Sequence, residues 1–323
     1  MNKKNKLIIF FLIFMIIFAL VQKFNSQSIA STRVQEKKLT SMKTSKQVSK
    51  NQDINENSVK IENYTSSIEK ANKLKEQQDD EKRQQLEREI KTYLGDNVDK
   101  IGLSYFDINS GKQITINGDK TFLAGSTLKV QMNMVLFDMI KSGQVSDSEA
   151  LNYTDDCYEE GTGILQGQDL TKPLPIMQLS DYSILHSDNI ATNMIIKRIG
   201  FYAMRDKIDE KLGHATDHSD NYITANDETT LLKLLYQNSS NNPYYNRLID
   251  NMKKTDFHDR IDLYLPQEIV AHKIGDYDSY VNDAGIIYTK SPYILSIYTN
   301  GITDANETIA HISSMIYAYQ SKL

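Results

Sequence analysis

The stretch "FLAGSTLKVQMNMVLFDMIKSG", Phe122 to Gly143, decides the reading of this chain. Val130, Met132, Met134, Val135, Leu136, Phe137, Met139 and Ile140 make a helix beginning near Ser126 apolar on nearly every side, as a helix buried in a core is. Its first turn nevertheless carries Lys129, with Ser126 three residues earlier. Residues three apart share one side of a helix, so hydroxyl and amine can meet. A serine hydroxyl is a weak nucleophile until a base takes its proton. A lysine serves as that base only when desolvation or a nearby cation depresses its pKa. The helix N-terminus adds backbone N–H groups for a developing oxyanion. The spacing alone is cheap: Ser67 and Lys70 repeat it in a hydrophilic stretch. A capping serine with a lysine reaching for solvent satisfies it equally.

On the N-terminal side, "KIGLSYFDINSGKQITING" (Lys100–Gly118) alternates like two strands about an Asn-Ser-Gly turn. On the C-terminal side, "PLPIMQLSDYSILHSDNIATNMIIKRIG" (Pro173–Gly200) is helix-rich, and "ANDETTLLKLLYQ" (Ala225–Gln237) opens with a cap and continues as a helix. Three strand candidates follow, "EIVAHKIG", "YVNDAGIIYT" and "PYILSIYTNG", and the helix "ANETIAHISSMIYAYQSKL" closes the chain. The expected fold is α+β: an antiparallel sheet built from both chain ends, with an all-helical subdomain inserted between them.

Residues 1–6, "MNKKNK", form a positive n-region before a continuous apolar run, Leu7 to Val21. That run reads as a transmembrane anchor with the rest of the chain extracytoplasmic; a signal cleaved near Ala30 is the alternative, giving a secreted protein. Residues 22–80 are dominated by Lys, Gln, Asn, Ser and Glu and read as a hydrophilic spacer, helical toward its end. The domain is placed at residues 81–323, where Leu86, Ile90, Tyr93 and Leu94 become amphipathic. Cys157 is the only cysteine, which excludes a disulfide framework and a cysteine-rich metal site. The net charge of −5 gives no reason to expect nucleic acid as a partner.

Two further elements complete a set with Ser126 and Lys129. "HSDNIATN" supplies Ser187, Asp188 and Asn189 between apolar helical stretches, and "AHKIGD" supplies Lys273 and Gly275 on a strand. Ser-x-x-Lys, Ser-Asp-Asn and Lys-x-Gly, in that order, resemble the penicillin-recognising serine enzymes, specifically the class A β-lactamase family and its relatives. The resemblance runs from about Leu86 to the C-terminus and takes in "GTGILQG" and "NDAGIIY". A second Ser-Asp-Asn, Ser219 to Asn221, lies in a polar loop and reads as coincidence.

The resemblance implies roles. Ser126 would form the acyl-enzyme and Lys129 would be its proton partner. Ser187 would pass a proton to the leaving nitrogen. Asn189 would bind the substrate amide and steady Lys129. Lys273 would add positive charge, attract a substrate carboxylate and help lower the Lys129 pKa. The backbone N–H groups of Ser126 and Asp276 would form the oxyanion hole. Gly275 would leave room for a substrate lying along the strand.

Two departures stand out. Ile274 occupies the place where the family has Thr or Ser, whose hydroxyl binds the substrate carboxylate. No Glu-x-x-Leu-Asn signature follows the Ser-Asp-Asn helix, so the glutamate that activates the deacylating water is missing. Glu210 and Glu228, the only glutamates between Gly200 and Leu231, read as surface helix positions. The expected protein is an extracytoplasmic serine hydrolase that acylates at Ser126 and deacylates poorly. A peptidoglycan D-Ala-D-Ala peptidase and a non-catalytic membrane-tethered sensor are the alternatives. The expected partners are a β-lactam or peptidoglycan-derived small molecule and the membrane, with the oligomeric state open.

The remaining candidates are weaker. Asp155, Asp156, Glu159 and Glu160 read as a solvated loop. Gly161, Gly163 and Gly167 lack the lysine of a phosphate loop and read as a loop lining the cleft. The six histidines show no metal spacing, so neither metal nor cofactor is expected. Ser126 lacks a Gly-x-Ser-x-Gly elbow.

Overall fold

The computed structural model describes residues 51–322, with side chains from residue 67 onward. The apolar run Leu7–Val21, the possible cleavage region near Ala30 and the first part of the spacer lie outside the described residues. The chain divides into two units, Met1–Glu76 and Gln77–Leu323. Helix α1 spans Asn51–Leu94. Its surface carries short-range pairs such as Arg83–Asp80 and Lys91–Glu87, which in solvent add little. What fixes its last turns is apolar burial: Leu86, Ile90 and Leu94 join a core with Ile309, Ile312 and Ile316.

The second unit is organised by a five-stranded antiparallel sheet in the order β2-β1-β9-β8-β7. The strands are β1 (Ile101–Asp107), β2 (Gln113–Ile116), β7 (Val270–Tyr277), β8 (Tyr280–Ile287) and β9 (Tyr293–Asn300). The first strand therefore pairs with the last, Ile101 opposite Thr299 and Leu103 opposite Ile297. Strands β1 and β9 are buried almost throughout, because helices cover both faces of the sheet. On one face lie the last turns of α1, from Leu86 to Leu94, and the C-terminal helix α8 (Ala305–Gln320). On the other lies the larger core, which holds the helical subdomain.

That subdomain comprises α2 (Leu128–Lys141), α3 (Ile176–Leu185), α4 (Asn189–Ile199), α5 (Phe201–Leu212), α6 (Ala225–Gln237) and α7 (Tyr245–Met252). Two ribbons join it: β3 (Thr121–Leu123) with β6 (Tyr222–Thr224), and β4 (Ala150–Leu151) with β5 (Leu174–Pro175). Every residue of α2 from Leu128 to Phe137 is buried, the polar Lys129, Gln131 and Asn133 included. Ser126 lies in a single 3₁₀ turn, Gly125–Thr127, ahead of the α-helix proper. The sheet from both chain ends and the inserted helices agree with the α+β expectation. Helix α7 has no counterpart in the sequence reading. Among the described residues, no helix is long and apolar enough to cross a membrane.

Candidate active site

A cleft of about 610 Å³ opens where the start of α2, the turn before α4 and the edge strand β7 converge. Ser126, Lys129, Ser187, Asn189, Ile274 and Asp276 all line it. The 3₁₀ turn bearing Ser126 is held by its backbone. Asn282 donates its amide to Leu123 O (2.8 Å) and Ala124 O (3.2 Å). Thr127 Oγ1 shares a hydrogen bond with the Tyr298 hydroxyl (3.0 Å). Gly125, at φ +55, packs so closely on β7 that a Cβ there would lie 2.8 Å from Asp276 N. A Cβ on Gly275 would lie 2.3 Å from Ala124 O and 3.0 Å from Ser126 N. Glycine at 275 is thus required by contact with the turn itself, a more immediate reason than room for a substrate. The same contacts bring the backbone of Gly125 and Ser126 close to that of Gly275 and Asp276.

Lys129 is 4 % exposed. Its Nζ donates to Ser187 O (2.6 Å) and Asn189 Oδ1 (2.7 Å), and the Ser187 hydroxyl lies 3.2 Å away. A neutral amine has two N–H donors and one lone pair. Ser187 O and Asn189 Oδ1 can take the donors, leaving the lone pair to receive a proton. Burial lowers the Lys129 pKa from 10.5 to about 7, against the raising effect of Glu159 and Asp188. Burial is the main cause of the depression, as the buried start of the helix led one to expect. Lys273 is itself fully buried and held well below its ordinary value, by burial first and by Lys129 second. Its Nζ donates to Ser187 Oγ (3.0 Å) and Ile274 O (3.0 Å), over the face of Phe257. Ser187 Oγ therefore sits between two lysine amines, and its backbone is held at φ +51. A non-glycine residue held left-handed carries strain of the kind that clusters at working sites.

Asp188 organises the turn and was given no role by the sequence reading. One oxygen caps α4 through Ala191 N (2.8 Å); the other accepts from Ile164 N (2.7 Å) and Leu165 N (2.8 Å). The "GTGILQG" loop is thereby tied to the Ser-Asp-Asn turn. Gly163, at φ +128, has its Cβ position 2.4 Å from Asp188 Oδ2. Gly161 and Thr162 line the cleft, as do Glu159 and Glu160. The cap pattern at Asp188 was readable; its second partner, more than twenty residues upstream, was not.

Two readings of polar residues need correction. Glu228 is fully buried, not a surface position. It accepts from Gln131 Nε2 of α2 (2.6 Å), and burial raises its pKa to about 7. Glu210 is exposed on α5. The second Ser-Asp-Asn does not bring its serine to Lys129, yet its loop is no bystander. Asn221 O accepts from Ala124 N (3.0 Å), and Asp220 and Asn221 line the cleft beside Ser126. Arg260, also missed, binds both oxygens of Asp276 (2.7 and 2.8 Å) and reaches Asn282 O (2.8 Å). It neutralises the carboxylate next to Gly275 and fixes the end of β7. Ile274 lies at the cleft wall with no hydroxyl to offer.

Comparison with known proteins follows this geometry. The model of the family described as "Beta-lactamase enzyme family" matches residues 85–320. A leucine-to-glutamate mutant of PBP-A, solved as an acyl-enzyme complex with penicillin G, is 26 % identical with a TM-score of 0.69, over 74 % of this chain and 97 % of that one. The TLA-1 extended-spectrum β-lactamase is 23 % identical with a TM-score of 0.65, over 73 % and 98 %. A β-lactamase from Sphaerobacter thermophilus DSM 20745 is 22 % identical with a TM-score of 0.63, over 69 % and 92 %. The last two likenesses speak for the fold alone.

Proposed function

The chain belongs to the beta-lactamase enzyme family and is a serine hydrolase, and from that premise we propose that it forms an acyl-enzyme at Ser126 with β-lactams or related amide and ester substrates and releases the acyl group slowly. The observation that carries the reading is Lys129: a buried amine, with a pKa of about 7, positioned by Ser187 and Asn189 in the turn after the serine. Ser126 Oγ attacks the substrate carbonyl as its proton passes to Lys129. The N–H groups of Ser126 and Asp276 receive the developing oxyanion. The tetrahedral intermediate collapses by breaking the C–N bond. The Ser187 hydroxyl, held between Lys129 and Lys273, gives the nitrogen its proton and is replenished from Lys129. Asn189 orients the acyl side chain. The leucine-to-glutamate mutant of PBP-A, captured as its penicillin G acyl-enzyme, supports a β-lactam as the first substrate to try.

Hydrolysis of the ester requires a base that activates water. Glu228 is engaged with Gln131 in the core and Glu210 faces solvent. Losing general-base help costs about a hundredfold to ten-thousandfold, enough for the adduct to persist. The apolar run Leu7–Val21 anchors the enzyme in the membrane with its domain outside, where wall-derived substrates are found.

The test is intact-mass analysis of the protein with penicillin G, followed over hours. One ligand mass should be gained, be absent in Ser126→Ala, and persist while little hydrolysed drug appears. Rapid turnover without an accumulating adduct refutes slow deacylation and points to one of the carboxylates that line the cleft, Glu159, Glu160 or Asp220. Recovery of the protein outside the membrane fraction, with a mature N-terminus near Ser31, refutes the anchor.

A further inference from the structure

Behind β7, on the loop that precedes it, His258 and Asp262 meet His272. One ring nitrogen of each histidine and one carboxylate oxygen of Asp262 lie within 4.8 Å of one another. Asp262 Oδ2 is in contact with His258 Nδ1 and lies 3.3 Å from His272 Nε2. The ligand atoms of a tetrahedral zinc, each about 2.0–2.2 Å from the metal, sit roughly 3.3–3.5 Å apart, so small side-chain adjustments bring this trio to coordination distances. From this geometry we propose that His258, Asp262 and His272 form a Zn²⁺ site that clamps the loop to β7.

Three observations beyond proximity support it. First, His272 is completely buried, and its Nε2 meets only Asp262 Oδ2, at 3.3 Å and outside good hydrogen-bond geometry; Asp262 Oδ1 has no hydrogen-bond partner among the described residues. Buried polar groups are rarely left so poorly paired, and both belong to the side chains that converge here. Second, His272 Nδ1 donates to the buried carboxylate of Asp283 on β8 (3.0 and 2.9 Å). That is the carboxylate–histidine arrangement that fixes the tautomer and leaves the other ring nitrogen for a metal. Asp283 is in turn held by Ile261 N (3.0 Å), from the same loop. Third, Asp262 and His272 side chains are 1 % exposed while His258 is 34 % exposed. An ion can enter past His258, and a water on that side completes four coordination. Two imidazoles and one carboxylate suit Zn²⁺ better than Mg²⁺ or Ca²⁺, which prefer all-oxygen sets.

The six histidines show no ligand spacing because the trio is assembled by tertiary structure, from a loop and a strand. The site is separate from the cleft, whose lining includes none of the three. It is nonetheless one residue from Lys273, and the loop it would hold carries Phe257, on which Lys273 rests. Without a metal, burial works against an imidazolium at His272, but Asp283 and Asp262 outweigh it and raise the pKa to about 10. Zinc therefore displaces a proton on binding, as metals do at histidine sites.

The experiment uses the full chain, purified in detergent without a histidine tag and stripped with a chelator. It is titrated with Zn²⁺ by calorimetry and with Co²⁺ by visible absorption. The expected result is one equivalent of Zn²⁺ bound, with the intense d–d bands of four-coordinate Co²⁺. His258→Ala should weaken binding by roughly tenfold to a hundredfold or more while unfolding cooperatively, which separates a lost ligand from a lost fold. Asp262→Asn should do the same for the cobalt bands. No uptake by the parent protein, or equal uptake by His258→Ala, overturns the proposal and leaves the cluster a proton-bridged ion network.

Discussion

The acylation rate should follow the free-base fraction of Lys129. Its pKa near 7, down from 10.5, means that burial disfavours the ammonium by about 5 kcal/mol at ~1.4 kcal/mol per tenfold. About half of the molecules then carry a neutral amine at pH 7, against about one in three thousand for an exposed lysine. The second-order rate constant for a fluorescent penicillin should climb roughly tenfold between about pH 6 and pH 8 and then level. Stopped-flow mixing with in-gel quantification of the adduct reads this directly. Lys129→Arg should be nearly inert, because a guanidinium stays charged. Removing the Glu159 charge should shift the profile slightly downward in pH, since that carboxylate favours the protonated lysine. A rate that still rises tenfold per unit above about pH 9 would show an ordinary lysine pKa. An Arg variant acylating at the parent rate would refute the base assignment outright.

Other substitutions test the walls of the cleft and its support. Ile274→Thr restores a hydroxyl at the cleft wall; a hydrogen bond to a charged group is worth about 1.5–3 kcal/mol, so acylation by carboxylate-bearing penicillins should rise roughly tenfold to a hundredfold, with no gain for an ester lacking the carboxylate. Gly275→Ala drives a Cβ into Ala124 O and the Ser126 amide; it should cost about 1–3 kcal/mol in urea unfolding and abolish acylation even where folded protein is recovered. Glu228, raised from 4.5 to about 7, stays protonated in the fold while the unfolded chain ionises, so stability should fall by about 3 kcal/mol as pH rises from about 4.5 past 7. Glu228→Gln should flatten that slope in unfolding measured at several pH values, and an unchanged slope would place the titration elsewhere.

What the sequence disclosed was what local pattern encodes. Alternation exposed β1 and β2 around their turn, and apolar residues on nearly every side exposed α2. Ser126 with Lys129, and Ser187 with Asn189, were visible because each pair sits within a few residues of chain. The rest depends on contacts across the fold. Glu228 looked like an ordinary solvent-facing residue of a capped helix until Gln131, on another helix, supplied its partner. Arg260 and Asp276 are sixteen residues apart and meet only once the loop wraps over β7. The depressed Lys129 pKa was anticipated with burial as one of its causes, which the sequence suggests through the apolar character of the neighbours. Gly275 was correctly singled out, yet the atoms that exclude a side chain there belong to a turn far upstream.

The placement of β9 has a consequence for how this protein is made. It is the last strand to leave the ribosome, yet it lies at the centre of the sheet, with β1 on one side and β8 on the other. Strand β1 is among the first segments of the domain to be synthesised, and apart from β2 it has no neighbour to pair with until Tyr293–Asn300 appears. Pairings so distant along the chain are slow to form. The nascent domain must therefore wait, its apolar strands uncovered, until nearly the whole polypeptide is available. Chains ending before Tyr293 would lack the middle of the sheet and not merely an edge, so they should be recovered as aggregates or degradation products and never as a smaller working enzyme.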